Sequence, residues 1–413
     1  MESYIFENAR ILDGSSDEGE QDHFVRVAGK LIEEVSDRPI KDSSAKHIDL
    51  RGKTLMPGLI DCHVHINSGG SPDPSVLSRL PSELIAYHSV NILKGILHRG
   101  FTTVRDVGGA TFAQVQAIEQ GIVEGPRVVG CGKGFVQTGG HVDARTRYDL
   151  DDGAYHLTQL GACARVVNGV DACRQAARDE IRKGARFLKV HAGGGAASMY
   201  FPRAYLAFSL DELRAFKEEA DNARMYICVH THSDEAVRRA LDCQIWSIEH
   251  GTLISPETAA IARQRDATVT PTIIAYEAQI REAKALGLDP EAVERLKWVR
   301  ARGPESLEIM QQAGVKIAYG SDVLGSMWDY QSEEFPILTE VLRPIDAIRT
   351  ATINAARLVR LEGKVGTIST GAFADLLVLD VDPLKDISAL CDQGRHMSAI
   401  MKNGVFVKNQ LNA

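Results

Sequence analysis

A (β/α)8 (TIM) barrel of the α/β class, joined to a small β-sandwich built from the two chain ends, is the fold that this sequence predicts. Three observations lead there. Eight apolar strand candidates alternate with helix signals through the middle of the chain. Strand-and-turn texture is confined to the two ends. Polar residues recur where the middle strands stop. A length of 413 residues accommodates a barrel of typically ~250 residues with insertions and a satellite.

The first 57 residues read as short strands: Tyr4-Ile5-Phe6, Phe24-Val25-Arg26-Val27, Leu31-Ile32-Glu33-Glu34-Val35 and His47-Ile48-Asp49-Leu50. Gly14, Gly29-Lys30 and Gly52-Lys53 separate them. At the other end, Leu376-Leu377-Val378-Leu379 and Ile400-Met401-Lys402 lead into an Asn403-Gly404 turn and Val405-Phe406-Val407, a strong short-range hairpin signal. Neither segment holds a core alone, so the two are expected to pair. In between, strand candidates begin at Leu59, Thr102, Arg127, Phe187, Tyr226, Ile245, Thr268 and Val315. Ser209-Leu210-Asp211-Glu212 has the form of a capping box, and Ser255-Pro256-Glu257 puts a cap before a proline at the first helical position. No G-x-G-x-x-G follows an early strand, which places the doubly wound sheet second. The expected division is 1–57 with 360–413 as the composite β-domain, and 58–359 as the barrel.

Composition narrows the partners. Hydrophobic residues at 44% and charged residues at 25% sit at globular averages and exclude disorder. A formal charge of -8 disfavours nucleic acid and anionic membrane surfaces and leaves a small molecule as the expected partner. No run of 18 apolar residues occurs, and Met1-Glu2-Ser3-Tyr4 lacks the flank of a signal peptide. A cytoplasmic protein is expected. Seven scattered cysteines without a C-x-x-C pair argue against a disulfide framework or a thiolate zinc cage.

The residues that carry chemistry lie at the strand ends, the face on which such barrels place their active sites. His63-Val64-His65 follows the first strand, and its two imidazoles point the same way because strand side chains alternate. The fourth strand ends Lys189-Val190-His191, the fifth Val229-His230, the sixth Glu249-His250-Gly251, and the eighth Gly320-Ser321-Asp322. H-x-H alone is a weak metal signal; five polar endings on one face are a strong one. Lys189 is out of place, because an ammonium in an apolar run suffers a desolvation penalty.

This set of H-x-H, Lys, His, His and Asp, framed by Met56-Pro57-Gly58-Leu59-Ile60-Asp61 and by Gly366-Thr367 through Asp375-Leu376, resembles the amidohydrolase superfamily in its binuclear, carboxylated-lysine subtype. His191-Ala192-Gly193-Gly194-Gly195 and Thr138-Gly139-Gly140-His141-Val142-Asp143 resemble the branch of imidazolonepropionase-like enzymes, Xaa-Pro dipeptidases and ochratoxin amidases. The resemblance implies two divalent ions, zinc being the expected metal, although such ligands also accept Mn, Co and Ni. It implies that His63, His65 and Asp322 hold one ion and His230 and His250 the other. Lys189, as N6-carboxylysine, would bridge them. Asp322 would be the general base in hydrolysis of an amide by the bridging hydroxide, and His141 a donor to the carbonyl oxygen. A homo-oligomer is also implied.

Substrate recognition is read from loops. Arg203 and Tyr200, in an insertion after the fourth strand, are candidates for gripping a carboxylate, and Tyr276 for lining the pocket. Dipeptidases of this branch commonly carry a tyrosine two places after the fifth-strand histidine; this chain has His232. The expected activity is that of a dipeptidase, a carboxypeptidase-like enzyme or an N-acyl amino acid amidase. A cyclic-amide hydrolase of the imidazolonepropionase type resembles a mononuclear site, which leaves Lys189 unexplained. A non-catalytic metal-binding barrel would be expected to have lost ligands, and none is missing here.

Overall fold

In the computed structural model, residues 2–146, 148–150, 159–196 and 201–411 are described. The two chain ends build one mixed sheet of eight strands. From the N-terminal end come β1 (Ser3–Ile11), β2 (Glu20–Ala28), β3 (Leu31–Ser36), β4 (Lys46–Asp49) and β5 (Thr54–Pro57). The middle of the chain then supplies ten strands. These are β6 (Leu59–Val64), β7 (Phe101–Asp106), β8 (Arg127–Gly130), β9 (Gly134–Val136), β10 (Ala164–Val166), β11 (Leu188–His191), β12 (Ile227–Ser233), β13 (Ser247–Leu253), β14 (Thr268–Thr270) and β15 (Lys316–Ile317). The C-terminal end adds β16 (Leu376–Leu379), β17 (Met397–Lys402) and β18 (Val405–Asn409).

β16 lies antiparallel to β5, with Leu376 opposite Pro57 and Leu379 opposite Thr54, and this pairing joins the two ends of the chain. The hairpin between β17 and β18 turns at Asn403 and Gly404, both at positive φ (50° and 74°), as the Asn-Gly pair requires. A Cβ on Gly404 would come 1.8 Å from Gly29 O, so only glycine fits there. Phe6, Val25, Val27, Leu55 and Met401 are among the residues buried in this sheet's own apolar cluster.

The middle strands are all parallel. β6, β7 and β8 form one sheet, and β10, β9, β11, β12, β13, β14 and β15 follow one another in a second. β8 and β9 are successive pieces of one strand path, since β8 pairs with β7 and β9 with β11. At the other margin, Cys62 N donates to Tyr319 O (2.8 Å) and Asp322 N to His63 O (2.9 Å), tying β6 to the segment after β15. The eight strand candidates of the sequence each coincide with a strand; β9 and β10, three residues each, are too short to carry a periodic signal. The helix Leu210–Asn222 begins with the expected capping box, Ser209 and Glu212 bonding reciprocally. All seven cysteines are free, six of them buried. Among the described residues no helix is long and apolar enough to cross a membrane.

One ionic pair lies inside the parallel strands. Arg105 of β7 is fully buried, and its Nη2 donates to both carboxylate oxygens of Glu249 on β13 at 2.7 Å. Its Nε donates to Cys62 O (2.5 Å) and its Nη1 to Ser247 Oγ (2.9 Å), so three strands meet on one guanidinium. Removing one partner of such a pair leaves an uncompensated buried charge and typically costs about 3–5 kcal/mol. Arg105→Met is therefore expected to lower the unfolding free energy by about that amount in urea titrations. A loss below about 0.5 kcal/mol, the scale of a surface change, would contradict this role.

Candidate metal centre

At the ends of the parallel strands, nine of the eleven residues singled out by sequence line one cavity of about 200 Å³: His63, His65, His141, Lys189, His230, His232, His250, Tyr276 and Asp322. Strand alternation brings His63 and His65 together, their ring centroids 5.5 Å apart. His63 Nδ1 lies 2.7 Å from Glu249 Oε2, and His65 Nδ1 lies 2.8 Å from Gly108 O. The Glu249 that neutralises Arg105 thus also fixes a ring in the cavity. Asp106 holds the other anchor, accepting from Gly108 N and Ala110 N (both 3.0 Å) and from Ile66 N (2.8 Å).

Asp322 Oδ1 stands 3.4 Å from His63 Nε2 and 3.6 Å from His65 Nε2. Asp61 keeps it there: its carboxylate accepts from His63 N, Ser321 N, Ser321 Oγ and Gln331 Nε2 at 2.6–3.1 Å. Burial pushes the Asp322 carboxyl up to about 6.

On the other side, His230 Nδ1 is 2.9 Å from His250 Nε2. The far nitrogens are anchored, His230 Nε2 by Gly194 O (3.2 Å) and His250 Nδ1 by Thr272 Oγ1 (2.7 Å). Tyr276 OH lies 3.3 Å from the same His250 Nδ1. Glu334 supports this corner by accepting from Ile273 N and Ile274 N, at the start of the helix that carries Tyr276. His250, Thr272 and Asp322 have positive φ (69°, 51° and 50°). Such a backbone is costly for a side chain with a Cβ, most of all a branched one, and persists where its surroundings enforce it.

Lys189 is 1% exposed, and its Nζ has no hydrogen-bond partner among the described residues. Desolvation, reinforced by Lys189 or by neighbouring rings, holds His63, His230 and His250 well below the ordinary imidazole range. They are neutral at pH 7, the form in which imidazole binds a metal. His63, His250 and Asp322 form one group whose ligand atoms lie within 4.8 Å of one another, and His230, His232 and His250 form a second. An unpartnered lysine lining the same cavity as these two groups, which share His250, completes a donor set that fits a metal centre.

The remaining candidates are placed as follows. The His141 ring stacks 4.6 Å from His230. Gly195 makes room for it, since a Cβ there would come 2.0 Å from His141 Cε1. Arg203 is not among the residues lining the cavity; its guanidinium sits 4.2 Å over the Trp298 ring. Tyr200 lies outside the described residues. Sequence reasoning assigned no role to His191, which also lines the cavity, is 4% exposed and has both ring nitrogens unpartnered. Its position two residues after Lys189 on one strand was the available signal.

A family model supplies the decisive comparison: the amidohydrolase family matches residues 54–407. The chain belongs to the amidohydrolase family. This amidohydrolase is 27% identical over 402 residues to an ochratoxinase of Aspergillus niger, covering 92% of this chain and 82% of that protein. A prolidase solved with N-methylphosphonate-L-proline superposes with a TM-score of 0.96 at 42% identity, covering 99% of this chain and 100% of the other. A Xaa-Pro dipeptidase solved with methionine in its active site gives 0.86 at 28% identity, covering 98% and 100%.

Proposed function

We propose that this amidohydrolase cleaves an amide C–N bond whose leaving amine carries a free α-carboxylate, as in dipeptides and N-acyl amino acids. The observation that carries this reading is the buried, unpartnered Lys189 in the same cavity as two groups of ligand side chains. His63, His65 and Asp322 would hold one divalent ion, His230 and His250 a second, and carboxylated Lys189 both, zinc being the expected metal. Carboxylation turns an unpaired buried cation into an anion with two ligand oxygens. The choice of substrate is supported by a prolidase at 42% identity, solved with a ligand that carries proline.

Bound divalent ions supply Lewis acidity, which acidifies water and polarises a carbonyl oxygen. The chain's own groups handle the proton and the orientation. Asp322 accepts a proton from the attacking water as the C–O bond forms, and returns it to nitrogen as the C–N bond breaks. His141, held near 4 by desolvation, is neutral and able to donate one N–H to the carbonyl oxygen. Tyr276 closes the wall beside His250. In fold terms, the eight parallel strand paths are proposed to close as the (β/α)8 barrel over 58–359, and the terminal sheet to wrap as a sandwich of 1–57 and 360–413.

Asp322→Asn is expected to lower kcat by about 10²–10⁴-fold, the usual contribution of a general base. Metal content is to be measured on the same sample, and turnover within about tenfold of the parent at normal metal content would contradict the role. For the substrate, dipeptides and N-acyl amino acids are to be assayed beside their C-terminal carboxamides and beside simple lactams. Hydrolysis is expected of the free acids. Equal rates on the carboxamides would remove the carboxylate requirement, and turnover confined to lactams would reassign the enzyme to cyclic amides.

A further inference from the structure

Seven histidines line the cavity, and their outer nitrogens divide them into two kinds. His63, His65, His230 and His250 each have one ring nitrogen against an oxygen: Glu249 Oε2, Gly108 O, Gly194 O and Thr272 Oγ1. A histidine that binds a metal is normally held in this way, because the bond from the outer N–H fixes the tautomer and leaves the inner nitrogen its lone pair. His141 Nδ1 and both nitrogens of His191 are buried without a partner among the described residues. Those two rings lack the anchor.

His232 belongs with the anchored rings. Its Nδ1 lies 3.2 Å from Thr252 Oγ1, a threonine hydroxyl like the one that anchors His250. The ring is 1% exposed, stacks on His250 at a centroid distance of 4.7 Å and meets His230 edge-on at 5.0 Å. Its ligand atom falls within 4.8 Å of those of both His230 and His250. β12 sets this up: His230 and His232 are alternate residues of one strand and point to one side.

We propose that His232 is a third imidazole ligand of the ion held by His230 and His250. The inference rests on the two-ion reading above and extends it. With Nδ1–H donating to Thr252 Oγ1, Nε2 would keep its lone pair for the ion. A third imidazole shifts the site's preference toward zinc, cobalt and nickel over manganese, which favours oxygen ligands. It also separates the roles of neighbouring histidines: His232 holds the ion, while His141, unanchored, is free to turn its N–H to a substrate.

The test is a titration of metal-free full-length protein with Co²⁺, read in three ways: ions bound per chain, dissociation constant of the second ion by competition with a chromophoric chelator, and the number of solvent-exchangeable imidazole N–H resonances shifted by the paramagnet. The expected result is two ions and five such resonances in the parent protein. His232→Phe is expected to leave four resonances and raise the second dissociation constant at least tenfold. Thr252→Val, a milder change that keeps the ring, is expected to weaken the same ion by about 10–100-fold, as loss of an outer-shell partner does. It carries the reading if His232→Phe does not fold. Two ions with four resonances in the parent, or two ions with both variants binding the second ion as the parent does, would overturn this inference and leave the two-ion reading standing. A single ion per chain would overturn both.

Discussion

The whole centre depends on one constraint: Lys189 places a side-chain nitrogen inside the molecule with no hydrogen-bond partner among the described residues. An unpaired polar group at 1% exposure is among the costlier things a protein can bury, and a charged one costs far more. Among the described residues, the carboxylates around the cavity are already engaged. Glu249 is taken by Arg105 and His63, Asp61 by two backbone amides with Ser321 and Gln331, and Asp106 by three backbone amides. Asp322 faces the two imidazoles of β6 and its segment. On the proposed reading, a carboxyl group added to Nζ, with cations shared among the surrounding rings, would resolve the problem for lysine and histidines together.

The other buried charges act as a frame. Asp61 binds the start of the His63 segment to Ser321, next to Asp322. Asp106 shapes the loop whose Gly108 carbonyl anchors His65. Arg105 holds Glu249, which anchors His63. Each is a structural ion or hydrogen-bond acceptor one step behind a ring that faces the cavity, and each lies on a different strand from the ring it fixes or from its own partner. Mutual placement of the rings is thereby referred to buried strand residues and to the short segments they hold, which is what a site of fixed geometry requires. His250, Thr272 and Asp322, at the cavity, are among the non-glycine residues held at positive φ, a backbone that persists where its surroundings enforce it.

Much of this was legible in the sequence because strand alternation and strand ends are local features. His63 and His65, Lys189, His230, His250 and Asp322 were found by their places after apolar runs, and the Asn403-Gly404 turn by its own chemistry. What the sequence left open depends on direction in space. Arg203 read as a carboxylate grip because it sits in a loop after the fourth strand, yet its guanidinium has Trp298 beneath it, a contact that no local pattern encodes. His191 drew no role because a histidine at a strand end has several ordinary explanations, and only its unpartnered nitrogens set it apart. The anchors Glu249, Gly108 and Thr272 were invisible for a similar reason, since a second partner is defined by distance across strands.

The most direct test of the account is a crystal structure of the protein prepared with zinc and bicarbonate, with anomalous differences collected at the zinc edge. The account predicts two anomalous peaks per chain, one beside His63, His65 and Asp322 and one beside His230 and His250, with a carboxyl group on Lys189 Nζ between them. A single peak, with Lys189 ending in a bare amine, would contradict it.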